Sequence, residues 1–413
     1  MLLDNFKVTN LSYIVVLGAS ILNLITGLLD PTIAPYLEDI GASKSEIGAI
    51  ISARFLIVAF GSIPFALLAN KIGYIKVLYI SAVSSVIGGA CLIGFDGRQA
   101  VLYFYLFIGV AIASASGPGA AILAENMGDK RIGAFSLFTM ARMFPPALGA
   151  GISYIWFQKK GNETSTSTLF PLVMIGLVVG MIIYVLLLFI FRSEDLSTGE
   201  EAAPIFTQFK LIFLPVVALP VSLLIVTNFI MGAGAGASIP YLPLYLDSIG
   251  ASSSRLSLLT LELNLAMGCA TFLVVPLSTK FGDLKVFVVF TILSVVCLLG
   301  LVYTTDLQIA AIFFVLRGAF ANMTSPILNA RVLSYIDPKV RATGSALTTN
   351  IRWLGWVIFS PISGNFIDVY GYQISFTVTS ILYLVATALF IIVNLRMPNL
   401  EMIEEENAEP IAI

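Results

Sequence analysis

Seven charged residues interrupt long apolar runs of this chain: Asp30, Arg54, Glu125, Arg142, Glu262, Arg317 and Arg352. At membrane depth each costs roughly 2.5–3.5 kcal/mol on insertion, so each needs a partner or a watery cavity. Asp30 has the most telling context. Asn23, Thr26 and Asp30 fall at i, i+3 and i+7, a polar stripe on one helical face, and Pro31 follows directly. Backbone groups freed beside a proline are tolerated near a cavity or a packed neighbour. A carboxylate in that place can carry a proton or touch a solute; the structural alternative is an ion pair with Arg54, at similar depth in the next run.

Arg142 opens a second stripe with Pro146, Gly149 and Ser153. It reads as a cation on a solute path or as the end of a small-residue packing seam. Arg352, flanked by Thr348, Thr349 and Trp356, suits a cavity wall. Arg317 can bind an anion or brace a neighbouring helix. Glu262 has apolar neighbours on its face (Leu258, Leu259, Ala266, Cys269) and fits a proton carrier or a neutral buried acid. Glu125 lies six residues before Arg131 and reads as part of a gate. Asn322, Thr324, Asn329 and Asn350 read as glue between helices.

Other chemistries are excluded. The chain has no histidine, which removes histidine acid–base catalysis and histidine metal ligation. Cys91, Cys269 and Cys297 sit in apolar runs without paired spacing, so neither a zinc site nor a disulfide framework is expected. GAGAGA (232–237) is followed by no Lys-Ser/Thr and reads as a flexible, closely packed helical segment near the outer gate, not a phosphate loop. No cofactor, metal or enzymatic activity is expected. A net charge of −2 gives no basis for a nucleic-acid partner.

The elements that position these residues follow from composition. Hydrophobic residues make up 58% and charged residues 11%. A soluble domain carries about 25% charged residues, so lipid is the main solvent and the lipid bilayer a partner. A bilayer core needs roughly 20 helical residues per crossing. Twelve such runs are centred near Ile21, Leu56, Val83, Ile112, Leu148, Val179, Phe229, Ala266, Leu293, Leu316, Leu354 and Tyr383. The first is too long and too weakly basic at its start for a cleaved signal peptide. Turn chemistry marks the connectors, such as FDGRQ (95–99). With both termini inside, thirteen Lys and Arg fall in cytoplasmic segments against five in outer ones, and four of the 22 lie within spans. That asymmetry predicts a multi-pass protein of the cell membrane with cytoplasmic termini. The expected organisation is a six-helix bundle over 1–191, a cytoplasmic linker over 192–217, a second six-helix bundle over 218–396 and an acidic tail over 397–413. Asn162-Glu163-Thr164 is a glycosylation sequon on an outer loop.

The halves repeat each other. YLEDIGASKSEIG (36–48) aligns with YLDSIGASSSRLS (245–257) at a shift of 209, and the same shift lays ANKIGYIKV (69–77) on STKFGDLKV (278–286). Lys71, Gly73 and Lys76 thus fall on Lys280, Gly282 and Lys285. A shift of 210 carries Arg131 to Arg341 and Arg142 to Arg352. Parallel repeats of this kind place a substrate site between halves.

Twelve spans, a central linker and basic Gly-containing loops after spans two and eight resemble the major facilitator superfamily. Its loop pattern, roughly G-x-x-x-D-R-x-G-R-K, is similar to PFALLANKIGYIK (64–76) and PLSTKFGDLK (276–285) at Lys71, Gly73 and Lys76. Asn70 and Thr279 stand where the family has Asp. The resemblance implies an all-α fold of two pseudo-symmetric six-helix bundles, with gating by Asn70, Lys71, Gly73, Lys76, Glu125, Arg131, Lys280, Gly282, Lys285 and Arg341. It implies that the family's charge-based latch is replaced here by a weaker hydrogen bond from Asn70. PPALGAG (145–151) is similar to the Gly-Pro-x-x-Gly-Gly element of the antiporter branch. Tyr105 occupies the place where span four often carries Arg, and Arg317 with Ala321 is a loose counterpart in span ten.

The expected function is secondary active transport of a small solute by a monomer that alternates access between its bundles. Four arginines within the spans against Asp30 and Glu262 point to an organic or inorganic anion, with substrate and coupling contacts from Asp30, Arg54, Arg142, Glu262, Arg317 and Arg352. Protonatable acids point to protons, or another ion, as the coupling partner. The alternatives are a proton-coupled multidrug efflux antiporter and, in another class, a non-transporting receptor or scaffold.

Overall fold

The computed structural model describes residues 10–125, 131–161, 164–192, 210, 218–336 and 341–397, and side chains at 120, 121, 123–125, 131–141, 341–343 and 345 fall outside what it describes. Every long element is a helix, as a chain in hydrocarbon requires, because only then are its backbone groups satisfied internally. Spans one to six are Asn10–Leu29, Lys44–Ile72, Tyr74–Gly94, Gly97–Glu125, Arg131–Lys160 and Phe170–Ile190. Spans seven to ten are Ala218–Ser238, Ser253–Phe281, Asp283–Tyr303 and Leu307–Leu333. Spans eleven and twelve lie in Arg341–Arg396, broken at Gly371, whose φ of 82° no helix interior adopts. Short helices Ile33–Asp39 and Leu242–Ser248 extend the ends of spans one and seven. The protein is an all-α, polytopic membrane protein with two pseudo-symmetric six-helix bundles.

The repeat in sequence reappears in local geometry. Ser43 caps span two by accepting from the Glu46 amide, while Glu46 returns a bond to the Ser43 amide. Its repeat mate Ser252 caps span eight at the Arg255 amide. Gly73 and Gly282, with φ of 97° and 85°, turn the chain from span two into three and from eight into nine. Glycine supplies that left-handed region at no steric cost.

Lipid-facing and core-facing surfaces are both apolar, so packing rather than hydrophobicity brings the helices together. Small residues set the closest approaches. A Cβ on Gly27 would lie 2.4 Å from Pro146 Cα, joining span one to span five. The repeat-related Gly236 lies as close to Trp356, its Cβ 2.6 Å from Trp356 Cα, joining span seven to span eleven. Gly232 through Ala237 are buried throughout, so this glycine run is a packing seam.

The halves meet along spans two and eleven, and along five and eight. Phe55 stacks on Trp353 at 4.3 Å between centroids and 8° between planes. Ser62 donates to Asn350 Oδ1 at 3.0 Å, and the Ser153 and Ser257 hydroxyls stand 3.0 Å apart. At one end, here the Lys44 end, the contact tightens. Lys44 bridges Glu38 at 3.0 Å and, across the halves, Asp368 at 3.5 Å. Tyr241 donates to the carbonyls of Lys44 and Ser360. The opposite end, here the Lys71 end, carries exposed Asn70, Lys71, Lys76, Thr279, Lys280 and Lys285.

Candidate functional site: a central cavity between the halves

A cavity of about 320 Å³ lies between the two bundles. Its volume falls at the small end of solute-binding pockets, roughly 300–1,000 Å³. Spans one, two and four supply Asp30, Arg54 and Tyr105; spans eight to twelve supply Asn264, Ser294, Arg317, Ser325, Arg352, Trp356 and Tyr383.

Asp30 and Arg54 form one unit. Arg54 Nη1 donates to Asp30 Oδ1 at 3.0 Å and Oδ2 at 3.2 Å, and Nη2 donates to Oδ2 at 3.2 Å. Tyr105 donates its hydroxyl to Asp30 Oδ1 at 3.1 Å. The guanidinium also sits 4.7 Å from the Phe55 ring centroid and 4.9 Å from that of Tyr105. Span four reaches span two closely here because Gly109 has no side chain: a Cβ there would lie 2.7 Å from the Arg54 carbonyl oxygen. Asn23 and Thr26 do not extend the stripe into the cavity. Asn23 donates to the Ala19 carbonyl and Thr26 to that of Asn23, each on its own helix.

The other two arginines have hydroxyl partners instead of carboxylates. Arg317, 4% exposed, donates through Nη2 to Ser238 Oγ at 3.1 Å and Tyr383 Oη at 3.0 Å. Arg352 donates through Nη1 to Ser325 Oγ at 2.9 Å. Its backbone is fixed from behind by Gly232, where a Cβ would lie 2.8 Å from the Arg352 carbonyl carbon. Three guanidiniums therefore face one carboxylate across the cavity.

Among the described residues, the buried polar atoms of the cavity wall that lack a partner are Arg54 Nε, Arg317 Nε and Trp356 Nε1. All three are N–H donors and none can accept. A buried donor left unpaired costs about 1–3 kcal/mol, and here the three sit just beneath the cavity surface.

Four of the six residues expected at the site thus converge: Asp30, Arg54, Arg317 and Arg352. Arg142 and Glu262 do not line this cavity. Arg142 is exposed. Glu262 lies about half a turn from the cavity-lining Thr260, Asn264 and Met267, at 100° per residue, on the side of the exposed Leu265 and Cys269. Asn322 donates to the Met267 carbonyl and Thr271 hydroxyl, tying span ten to span eight. At the Lys71 end, Thr279 donates back to Val275 and Pro276 carbonyls of its own helix. The side chains of Glu125, Arg131 and Arg341 and the sequon residues Asn162 and Glu163 lie outside the described residues, as do most of 192–217 and the tail from 398.

Sequence reasoning missed Tyr383 and Ser238 as partners of Arg317 and Ser325 as the partner of Arg352. Hydroxyls in apolar helices are common, and no spacing rule links residues on separate spans.

The family model of the major facilitator superfamily matches residues 15–261 and 224–409. The chain belongs to this superfamily. Solved structures agree in fold. A bacterial homologue of the human lysosomal transporter Spinster, inward-facing and unoccupied, superposes with a TM-score of 0.69 at 14% identity, over 93% of this chain and 95% of that one. The nucleoside transporter NupG, solved as a point mutant, gives 0.75 at 12% identity, over 93% and 99%. No curated protein sequence matches the chain. As a member of this superfamily the protein is a secondary transporter, not an enzyme: a multi-pass membrane protein that moves a small molecule.

Proposed function

We propose that the protein transports a small anion by alternating access, with protons as the coupling ion. The observation that carries this reading is the charge imbalance of the central cavity, three guanidiniums against one carboxylate. A lipophilic cation, the substrate type of the multidrug alternative, would meet net repulsion there.

Coupling follows from the Asp30–Arg54 pair. While Asp30 is ionised it holds two Arg54 donors and cancels its charge. Protonation of Asp30 cancels that pairing and frees Arg54 to face the solute. Proton and anion then each favour the binding of the other, since linkage between sites is reciprocal. This favours symport. The basic bias places the Lys71 end in the cytoplasm and the Lys44 end outside, so this conformation is closed to the exterior by Lys44, Asp368 and Tyr241. The moving bodies are 1–191 and 218–396, joined by the linker 192–217.

The test is reconstitution of the full-length protein in liposomes with a pH gradient and a panel of radiolabelled anions and lipophilic cations. Anion accumulation driven by inward proton flow is expected, weakened by Arg352→Gln and uncoupled from pH by Asp30→Asn. Transport of lipophilic cations without anions would give first place to the efflux reading, and no solute flux at all would favour a receptor or scaffold.

A further inference from the structure

The charge in the cavity is unevenly divided between the halves. In the N-terminal half Arg54 is matched by Asp30 at 3.0 Å. In the C-terminal half Arg317 and Arg352 meet only neutral hydroxyls, those of Ser238, Tyr383 and Ser325. These are good hydrogen-bond acceptors but carry no charge, so two cations, Arg317 buried and Arg352 partly so, stand without counterions on one side of one cavity.

We propose that this side is a binding site for a small organic dianion, one negative charge for each of Arg317 and Arg352. The assignment deepens the anion reading above and rests on it. Trp356 stands beside Arg352. It is 9% exposed, lines the cavity and has no partner for its indole N–H. It lies one helical turn beyond Arg352 on span eleven, so both present to the same wall. Arg317 Nε is likewise unpaired and buried. A ligand with two negative charges supplies a counterion to each guanidinium, where a monocarboxylate would leave one without.

The rest of the wall defines the body that carries the charges. Tyr105, Phe314, Tyr383 and Trp356 contribute rings, and Met231 and Met267 contribute apolar length. Phe55 of the other half packs 4.9 Å from Trp356, closing the aromatic side. A flat, partly apolar body fits this lining. Both phosphate monoesters and dicarboxylates have the required charge.

The test uses purified full-length protein and two matched ligand pairs at about pH 8, where a phosphate monoester is dianionic because its second pKa is near 6. One pair is phenyl phosphate and methyl phenyl phosphate; the other is phthalate and benzoate. Each pair differs mainly in charge. Calorimetric titration should give the dianion of at least one pair about tenfold or more tighter binding than its monoanion, as one added charge-assisted contact provides. A preference in the phosphate pair alone identifies a monoester site, and in the carboxylate pair alone a dicarboxylate site. Arg352→Gln should remove the preference, and Arg352→Lys, which keeps the charge, should retain part of it. Both variants should be compared by gel filtration and thermal unfolding to separate binding from folding. Equal binding of monoanion and dianion in both pairs overturns the dianion site and leaves the anion reading standing. Binding of tetraphenylphosphonium with no anion bound, or no binding by any anion, removes both.

Discussion

Arg54 and Asp30 join spans two and one at the cavity wall, with guanidinium and carboxylate 3.0 Å apart and Tyr105 donating to the same carboxylate oxygen. Each of these opposite charges depends on the other. Breaking a buried pair by neutralising one partner costs about 3–5 kcal/mol. The Asp30 side chain keeps 34% of its exposure, toward the cavity, so water offsets part of that cost. Asp30→Asn and Arg54→Gln should each lower the melting temperature. The double variant should be less destabilised than the sum of the two, a coupling that thermal unfolding of all four proteins measures. Strict additivity would mean the two side chains act independently.

The packing seam makes a second prediction. Gly27 and Gly236 are repeat mates, and each admits the backbone of a neighbouring helix, at Pro146 and Trp356. Neither site has room for a methyl group. Overpacking of this kind costs typically 1–3 kcal/mol, so Gly27→Ala and Gly236→Ala should destabilise to a similar degree. They should differ in function. Gly236→Ala displaces Trp356 and should also weaken substrate affinity, whereas Gly27→Ala should leave affinity nearer normal. Equal loss of affinity in both would detach Trp356 from the site.

Much of this architecture was legible in the sequence because lipid imposes length. Runs of about 20 apolar residues are hard to mistake, and the repeat at a shift of 209 also appears in paired caps at Ser43 and Ser252. Depth was legible as well: Asp30, Arg54, Arg317 and Arg352 do lie together at the cavity. Rotation about the helix axis was not. Arg142 and Arg352 are repeat mates, yet only Arg352 lines the cavity. Glu262 has apolar neighbours in sequence whichever way its helix faces, because the lipid side and the core side are both apolar. Sequence periodicity has no contrast to read there. The hydroxyl partners of Arg317 were hidden for another reason, since Ser238 and Tyr383 are 79 and 66 residues away.

A third prediction concerns the loop after span two. Asn70 is exposed at the Lys71 end, beside Lys71. An aspartate there would make charge-assisted hydrogen bonds, roughly twice as strong as neutral ones. Asn70→Asp should therefore strengthen closure of that end when the transporter turns over. Cysteines introduced at cavity positions such as Asn264 should become less reactive to reagent applied from that side. Unchanged reactivity would show that this loop is not the latch.

The last prediction concerns pH and the opposite gate. Lys44 draws together Glu38 of its own half and Asp368 of the other, and so partly neutralises an acidic rim. Asp39 belongs to this rim, and Asp247, from the C-terminal half, lies within electrostatic reach of it. Burial, and then the neighbouring Glu38 carboxylate, push the Asp39 carboxyl above its ordinary range. A carboxyl raised in the closed state is more easily protonated there than when freed. The penalty is therefore absent below the ordinary carboxylate range, grows as pH rises through it and is complete above the raised value. Acidification should stabilise closure of the Lys44 end, and Asp39→Asn should stabilise it at neutral pH and flatten the pH dependence. Lys44→Gln should do the reverse, leaving the rim's acids to repel each other and opening that end. The readout is labelling of a cysteine at Ala34, which lines the cavity, by an impermeant reagent added from the Lys44 side from about pH 3.5 to pH 7, a range that starts below the ordinary carboxylate value. Labelling should rise with pH in the wild type, rise most in Lys44→Gln, and stay low across the range in Asp39→Asn. If Lys44→Gln labels no faster than the wild type at any pH, the ion pairs of Lys44 do not hold this end closed, and the seal rests on Tyr241 and the close backbone contact at Gly364.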